Sequence, residues 1–85
     1  MEAESADEHS VLLAVRLPMG SVLPVRVNRR YSTGALLDRI RSECGLPDSA
    51  QHRLRLALGY AVLDHSRTLR ENDVQDGDML QLVVL

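Results

Sequence analysis

Eighty-five residues, 45% of them hydrophobic and 26% charged, suffice for one small domain with a single core and leave no room for a second. A single cysteine, Cys44, excludes an internal disulfide and a cysteine-rich zinc site, and no run of about 18 apolar residues is present to span a membrane. The formal charge of −2 is unevenly placed: Glu2, Glu4, Asp7 and Glu8 crowd the first ten residues without a base, and the rest of the chain sets ten arginines against eight acids.

Residues 1–10 are too polar to bury surface, and the composition predicts a disordered acidic tail there, without the basic and then apolar pattern of a signal peptide. The ordered domain is expected over 11–85. Tyr31 and Tyr60 are its only aromatics, so its core must be aliphatic. Val11 to Leu17 reads as a strand, Pro18 to Ser21 as a hairpin turn with Gly20 free to take positive φ, and Val22 to Val27 as the returning strand. Leu23, Val25 and Val27 share one face of that strand. Pro24 has no N–H to give to a ladder, which places the strand at a sheet edge.

After a connection over Asn28 to Tyr31, Ser32 or Thr33 caps a helix running to about Cys44. Leu36, Leu37 and Ile40 form its buried stripe, and Asp38, Arg39, Arg41 and Glu43 are expected to face water. Gly45 stands where a helix-ending glycine belongs, and Pro47 prevents continuation. Arg53 to Leu58 alternates strictly, with Leu54 and Leu56 on one side and Arg53 and Arg55 on the other. Gly59-Tyr60 turns the chain into a short strand over Ala61 to Leu63. Thr68 with Glu71 three residues later fits a capping box opening one helical turn. Asp76-Gly77-Asp78 is a turn, and Met79 to Leu85 is the last strand, with Leu80, Leu82 and Val84 on one face. The order is β-β-α-β-β-β, an α+β arrangement in which one helix crosses one face of a mixed sheet.

No catalytic constellation emerges. His9 falls in the tail, His52 before the third strand and His65 in a turn, and none is placed beside Cys44 with an orienting carboxylate. Cys44 is expected to be an unreactive thiol at the helix end. Asp73, Asp76 and Asp78 lack the spacing of an EF-hand loop and fit turn chemistry instead. No glycine-rich phosphate cradle is present, and arginines without stacking aromatics do not argue for nucleic acid. No cofactor and no metal are expected.

Gly45-Leu46-Pro47 at the helix end, Leu63 with Arg67-Thr68-Leu69, and Val74-Gln75 before the last strand occur in the order found in the ubiquitin-like family, which the chain resembles from Val11 to Leu85. The likeness runs without a gap to Pro47, takes up a three-residue insertion somewhere in 50–62 and continues to the last residue. It implies a ubiquitin-like β-grasp with sheet order 2-1-5-3-4 and a second strand at the edge. The implied core is Val11, Leu13, Val15, Leu23, Val25, Val27, Leu36, Ile40, Leu54, Leu63, Leu69, Val74, Leu80 and Leu82. The family's apolar recognition patch on the open sheet face maps to Pro18, Arg55, Gln81 and Val83. Its central isoleucine is here Arg55, beside Arg53, which disfavours a greasy partner and favours an acidic one. Leu12, Ala14 and Val22 form an alternative apolar surface on the first hairpin.

The resemblance implies a non-catalytic, cytoplasmic interaction module or adaptor that binds another protein, is monomeric, and engages neither nucleic acid nor membrane. Conjugation is not expected as the sequence is written: the chain has no Gly-Gly after the last strand and no lysine for chain building. The closing Val74…Asp76-Gly77-Asp78-x-Leu-x-Leu also resembles the small ubiquitin-like proteins of bacterial type VII secretion, which are accessory components rather than tags. The alternatives are a modifier whose C-terminal tail is missing here and a ubiquitin-like domain of a larger protein.

Overall fold

A computed structural model describes residues 10–85, apart from the side chains of Asp48, Ala50 and Gln51. The expected tail lies outside the described residues except for Ser10, which opens the first strand instead of closing the tail. That strand, β1 (Ser10–Arg16), turns through Gly20 at φ 101° into β2 (Val22–Asn28). The two pair antiparallel from Ser10 opposite Asn28 to Arg16 opposite Val22. Helix α1 (Thr33–Glu43) starts at Ser32, whose hydroxyl accepts from the Ala35 N–H at 3.0 Å. It stops as expected at Gly45, which takes φ 72°.

A 3-10 helix follows over Asp48–Arg53, in the stretch where the sequence comparison needs its insertion. The next strand, β3 (Leu54–Leu58), therefore begins one residue later than the alternation predicts. Arg53 ends the 3-10 turn, although its carbonyl still accepts from the Leu85 N–H at 2.7 Å. Strand β4 is only Ala61–Val62, because Leu63 leaves the edge and turns into the core while its N–H still reaches the Leu56 carbonyl at 2.8 Å. Strand β5 (Met79–Val84) closes the chain's secondary structure.

The sheet order is β2-β1-β5-β3-β4, with β1 and β5 parallel at the centre and β3 antiparallel to β5. Pro24 thus does lie on an edge strand, where its missing N–H breaks no ladder bond. Val15 stands opposite both Leu23 and Leu80, and Leu56 opposite Leu82, so the register sets one face of the sheet against α1. The expected core is buried there, with one exception: Leu23, at the sheet edge, is only half-buried. Leu37, Leu56, Ala57 and Thr33 are buried as well. Val84 shares the inner face by register but lies beyond the helix and is exposed. Arg41, expected in water, is largely covered, because its guanidinium bonds Asp38 Oδ1 at 2.8 Å and the Leu46 carbonyl at 3.0 Å, fastening the helix end to the chain that leaves it.

Loop 64–78 is held by side chains in place of regular structure. Thr68 Oγ1 accepts from the Glu71 N–H at 3.0 Å and Glu71 Oε1 from the Thr68 N–H at 2.9 Å, the reciprocal capping box read from the sequence. Only one turn follows: Asp73 takes φ 61° and the Val74 N–H returns to the Leu69 carbonyl at 3.0 Å.

Gly34, in the first turn of α1, has its N–H 2.9 Å from the His65 carbonyl. A Cβ at this position would sit 3.0 Å from that same oxygen. Alanine ordinarily stabilises a helical glycine site by about 1 kcal/mol. Here Gly34→Ala is expected to cost about 1 kcal/mol, since relieving the contact stretches the hydrogen bond. A urea melt followed by circular dichroism checks the sign.

Asp64 accepts from the Ser66 hydroxyl at 2.6 Å and the Ser66 N–H at 3.0 Å, and these bonds, with Arg67 nearby, hold its carboxyl below the ordinary 3.8. A depressed folded-state pKa contributes stability above the unfolded value that is lost as pH falls through the folded one. Asp64→Asn is therefore expected to flatten the stability profile only below about pH 4. Denaturation midpoints of both proteins between pH 2.5 and 6 decide it.

Candidate functional site

The face of the sheet turned away from α1 is built by the period-2 alternation of each strand. Register assembles its side chains into rows. Val22, Arg16, Gln81, Ala57 and Val62 form one row across all five strands. Pro24, Ala14 and Met79 form the next, and Arg26 stands opposite Leu12 beyond it. On the other side of the five-strand row, Val83 stands opposite Arg55.

The two surfaces separated in the sequence reading are therefore one continuous face. Leu12, Ala14 and Val22 adjoin Gln81, Val83 and Arg55 through β5. Leu12, Val22, Met79 and Val62 are all exposed on it, between 45% and 58%. Arg16, Arg26 and Met79 belong to this face as well: each occupies an outward phase of its strand, a signal present in the sequence that becomes a site only once the strands are paired.

Two of the proposed site residues stand elsewhere. Pro18 does not lie on the outer face with Arg55 and Gln81. The hairpin turn carries it to the end of the sheet, where with Leu17, Met19, Cys44, Leu46, Leu54, Leu82 and Val84 it lines an apolar groove of about 280 Å³ on the helix side. Arg53 is exposed but belongs to the 3-10 helix, not to the strand.

The arginines of the face differ in how they are held. Arg55 Nη1 donates to the His52 carbonyl at 3.1 Å and the Leu54 carbonyl at 2.7 Å, so it caps the end of the 3-10 helix. Arg16 and Arg26 have guanidinium groups with no hydrogen bond or ion pair among the described residues. None of the five strands contains an acidic residue. The face as built is aliphatic and positively charged, and it has hydrogen-bond donors on its flanks.

Elsewhere the chemistry-bearing side chains are spent on structure. Asp76 Oδ1 accepts from the Leu12 N–H at 2.7 Å, Asp78 Oδ2 from the Gln75 N–H at 2.8 Å and Asp73 Oδ1 from Gln75 Nε2 at 3.0 Å. These three carboxylates organise the turn into β5, and no group of three or more metal-ligating side chains gathers among the described residues. Cys44 is the half-buried C-cap of α1. His52 and His65 are exposed, and His9 lies outside the described residues. No helix among them is long and apolar enough to cross a membrane.

No family model matches the chain, and no curated protein sequence matches it significantly. Solved structures do. The ubiquitin of Caldiarchaeum subterraneum superposes with a TM-score of 0.77 at 23% identity, over 89% of this chain and 94% of that one. A designed protein based on ubiquitin gives a TM-score of 0.77 at 24% identity, over 89% of each chain. The fold is the ubiquitin-like β-grasp. Within that β-grasp the outer face is the open face of the sheet, and its residues are this chain's own: Arg55 stands where the resemblance expects an isoleucine.

Proposed function

We propose that this β-grasp chain is a non-catalytic protein-interaction module, and that it works as a monomer binding another protein on the open face of its sheet. The observation that carries this reading is the composition of that face. Exposed aliphatic side chains lie beside three arginines, nothing among the described residues covers them, and the strands hold no acid to neutralise them. A partner brings complementary charge and removes apolar surface from water at roughly 25 cal/mol per Å². The use of Asp73, Asp76, Asp78, Arg41 and Arg55 as structural braces supports a binding role over a chemical one. Within this class the finer reading is a cytoplasmic accessory component of bacterial type VII secretion. Its support is the closing segment from Val74 through Asp76-Gly77-Asp78 to Leu82.

The test is affinity capture from a native lysate with the wild type and with a triple variant, Arg16→Glu, Arg26→Glu and Arg55→Glu, both first shown to be folded by circular dichroism. A protein retained by the wild type and lost from the variant is the expected result. Equal retention by both sinks the sheet-face reading.

A further inference from the structure

We propose that the β2–β1–β5 half of the open face is a docking trough for an acidic amphipathic helix of another protein, with Arg16 and Arg26 as its two charged walls. This rests on the proposed function and narrows it to one half of the face and one kind of partner.

The shape comes from residue sizes along the register. The central row is low, because Pro24 and Ala14 are short side chains, with Met79 at its end. Taller rows flank it: Arg26 with Leu12 on one side, Val22 with Arg16 and Gln81 on the other. Alternate residues of one strand are about 6.7 Å apart, so the flanking rows stand about 13–14 Å from each other. A helix with its side chains is about 10–12 Å across. Those are spacings between row centres, so a helix lying across the strands rides on the two flanking rows, with its apolar stripe over Ala14 and Pro24 and aliphatic contacts to Leu12, Val22 and Met79. Its two flanks then meet Arg26 and Arg16, one on each side.

The charges select the partner. Arg16 and Arg26 have no partner among the described residues, whereas Arg55, on the other half, is already tied to two carbonyls. Among the described residues the strands carry no carboxylate, and Asp76 and Asp78, in the turn into β5, are engaged by the Leu12 and Gln75 N–H groups. The guanidiniums can form bidentate pairs with glutamate or aspartate on either side of the helix's apolar stripe. A basic helix would face the same two arginines with repulsion.

The probe is a synthetic helical peptide with a leucine stripe flanked on both sides by glutamates, titrated into the full chain. Its control carries lysines in place of the glutamates. Arginine Nε–H and methyl NMR shifts are read for the wild type, Arg16→Gln/Arg26→Gln and Arg55→Gln. The substituted side chains are exposed or make only local bonds, and unchanged core methyl shifts confirm each fold. The expected result is movement of the Arg16 and Arg26 Nε–H and Ala14 methyl signals with the acidic peptide alone. Affinity should fall about five- to tenfold in the double variant and less than about twofold in Arg55→Gln.

Absence of any shift at millimolar acidic peptide overturns the proposal, as does equal binding of the basic control. Loss in Arg55→Gln with none in Arg16→Gln/Arg26→Gln also overturns it, but leaves the broader reading standing on the other half of the face. Concentration-dependent shifts without peptide would make a second copy the occupant. Binding to phosphatidylglycerol vesicles and not to the peptide would make it an anionic membrane. A rise in peptide affinity when Glu2, Glu4, Asp7 and Glu8 are neutralised to amides, with the same signals already moved, would make the chain's own acidic segment the occupant. Each of these three results replaces the partner helix.

Discussion

Leu80→Ala is expected to lower the free energy of unfolding by about 3–5 kcal/mol, enough to bring a domain of this size close to its unfolding threshold. Leu80 is fully buried on the central strand, directly opposite Val15 of the parallel neighbour. Truncation there removes three carbons from the middle of a single-layer core. The strands on either side, β1 and β3, are both held by ladder bonds to β5, which limits how far they can close the space. Leu12→Ala, on the outward phase of β1, is the contrast: the side chain is 45% exposed, and its loss is expected to cost under about 1 kcal/mol. Urea denaturation followed by far-ultraviolet circular dichroism measures both, and suits a chain with no tryptophan. Similar midpoints for the two variants would contradict the assigned inner and outer faces.

Asn72→Ala is expected to cost about 2–4 kcal/mol, a large effect for a residue with no apolar surface to lose. The Asn72 amide nitrogen donates to the Thr33 hydroxyl at 2.9 Å, the Asp64 carbonyl at 2.8 Å and the Thr68 carbonyl at 3.2 Å. Its oxygen accepts from the Asp64 N–H at 3.1 Å. One side chain thus joins the start of α1 to Asp64 and Thr68 of the loop that follows β4. Thr33 is 1% exposed, so a lost partner there is not replaced by water. Asn72→Asp discriminates this account from simple packing. It keeps the shape but is acceptor-only when ionised, so the Asp64 and Thr68 carbonyl oxygens would face a carboxylate, and only the Thr33 hydroxyl could turn to donate. It is expected to destabilise at least as much as alanine at pH 7. Near-wild-type midpoints for Asn72→Asp would remove the network from the explanation of the loop.

Much of the fold was legible in the sequence because burial leaves a period. Leu54 and Leu56, alternating with Arg53 and Arg55, mark an inner strand face at spacing two, and Leu36, Leu37 and Ile40 mark a helical stripe at spacings of three and four. Both predictions match the buried residues. Pro24 announced an edge through its missing donor, and Thr68 with Glu71 announced a capping box through reciprocal bonding within four residues. The 3-10 helix before β3 was not legible. It has no apolar period of its own, and the strict alternation starting at Arg53 hid its end. Leu23 reads like Val25 and Val27, but being half-buried follows from sheet-edge position, which its own strand does not encode.

The candidate site was legible as residue types and not as an arrangement. Arg55, Gln81 and Val83 are brought together on the face where they were expected, and Leu12, Ala14 and Val22 turn out to adjoin them. Pro18 was misplaced because position along the chain says nothing of the direction a turn takes at a strand end. Arg55 looked like the charged anchor until its bonds to the His52 and Leu54 carbonyls showed it braced against its own backbone.

By itself the sequence determined the aliphatic core, the one-helix mixed-sheet class, the turns and caps, and the inward or outward phase of each strand. All of these rest on local stereochemistry or on burial periodicity, which act within a few residues. Tertiary structure alone decided which outward residues become neighbours, that Arg16 and Arg26 flank a low row of Pro24 and Ala14, and which charged groups are already spent. Those are properties of register between strands, which the turn sets for the β1–β2 hairpin and the packed core sets for strands distant in the chain.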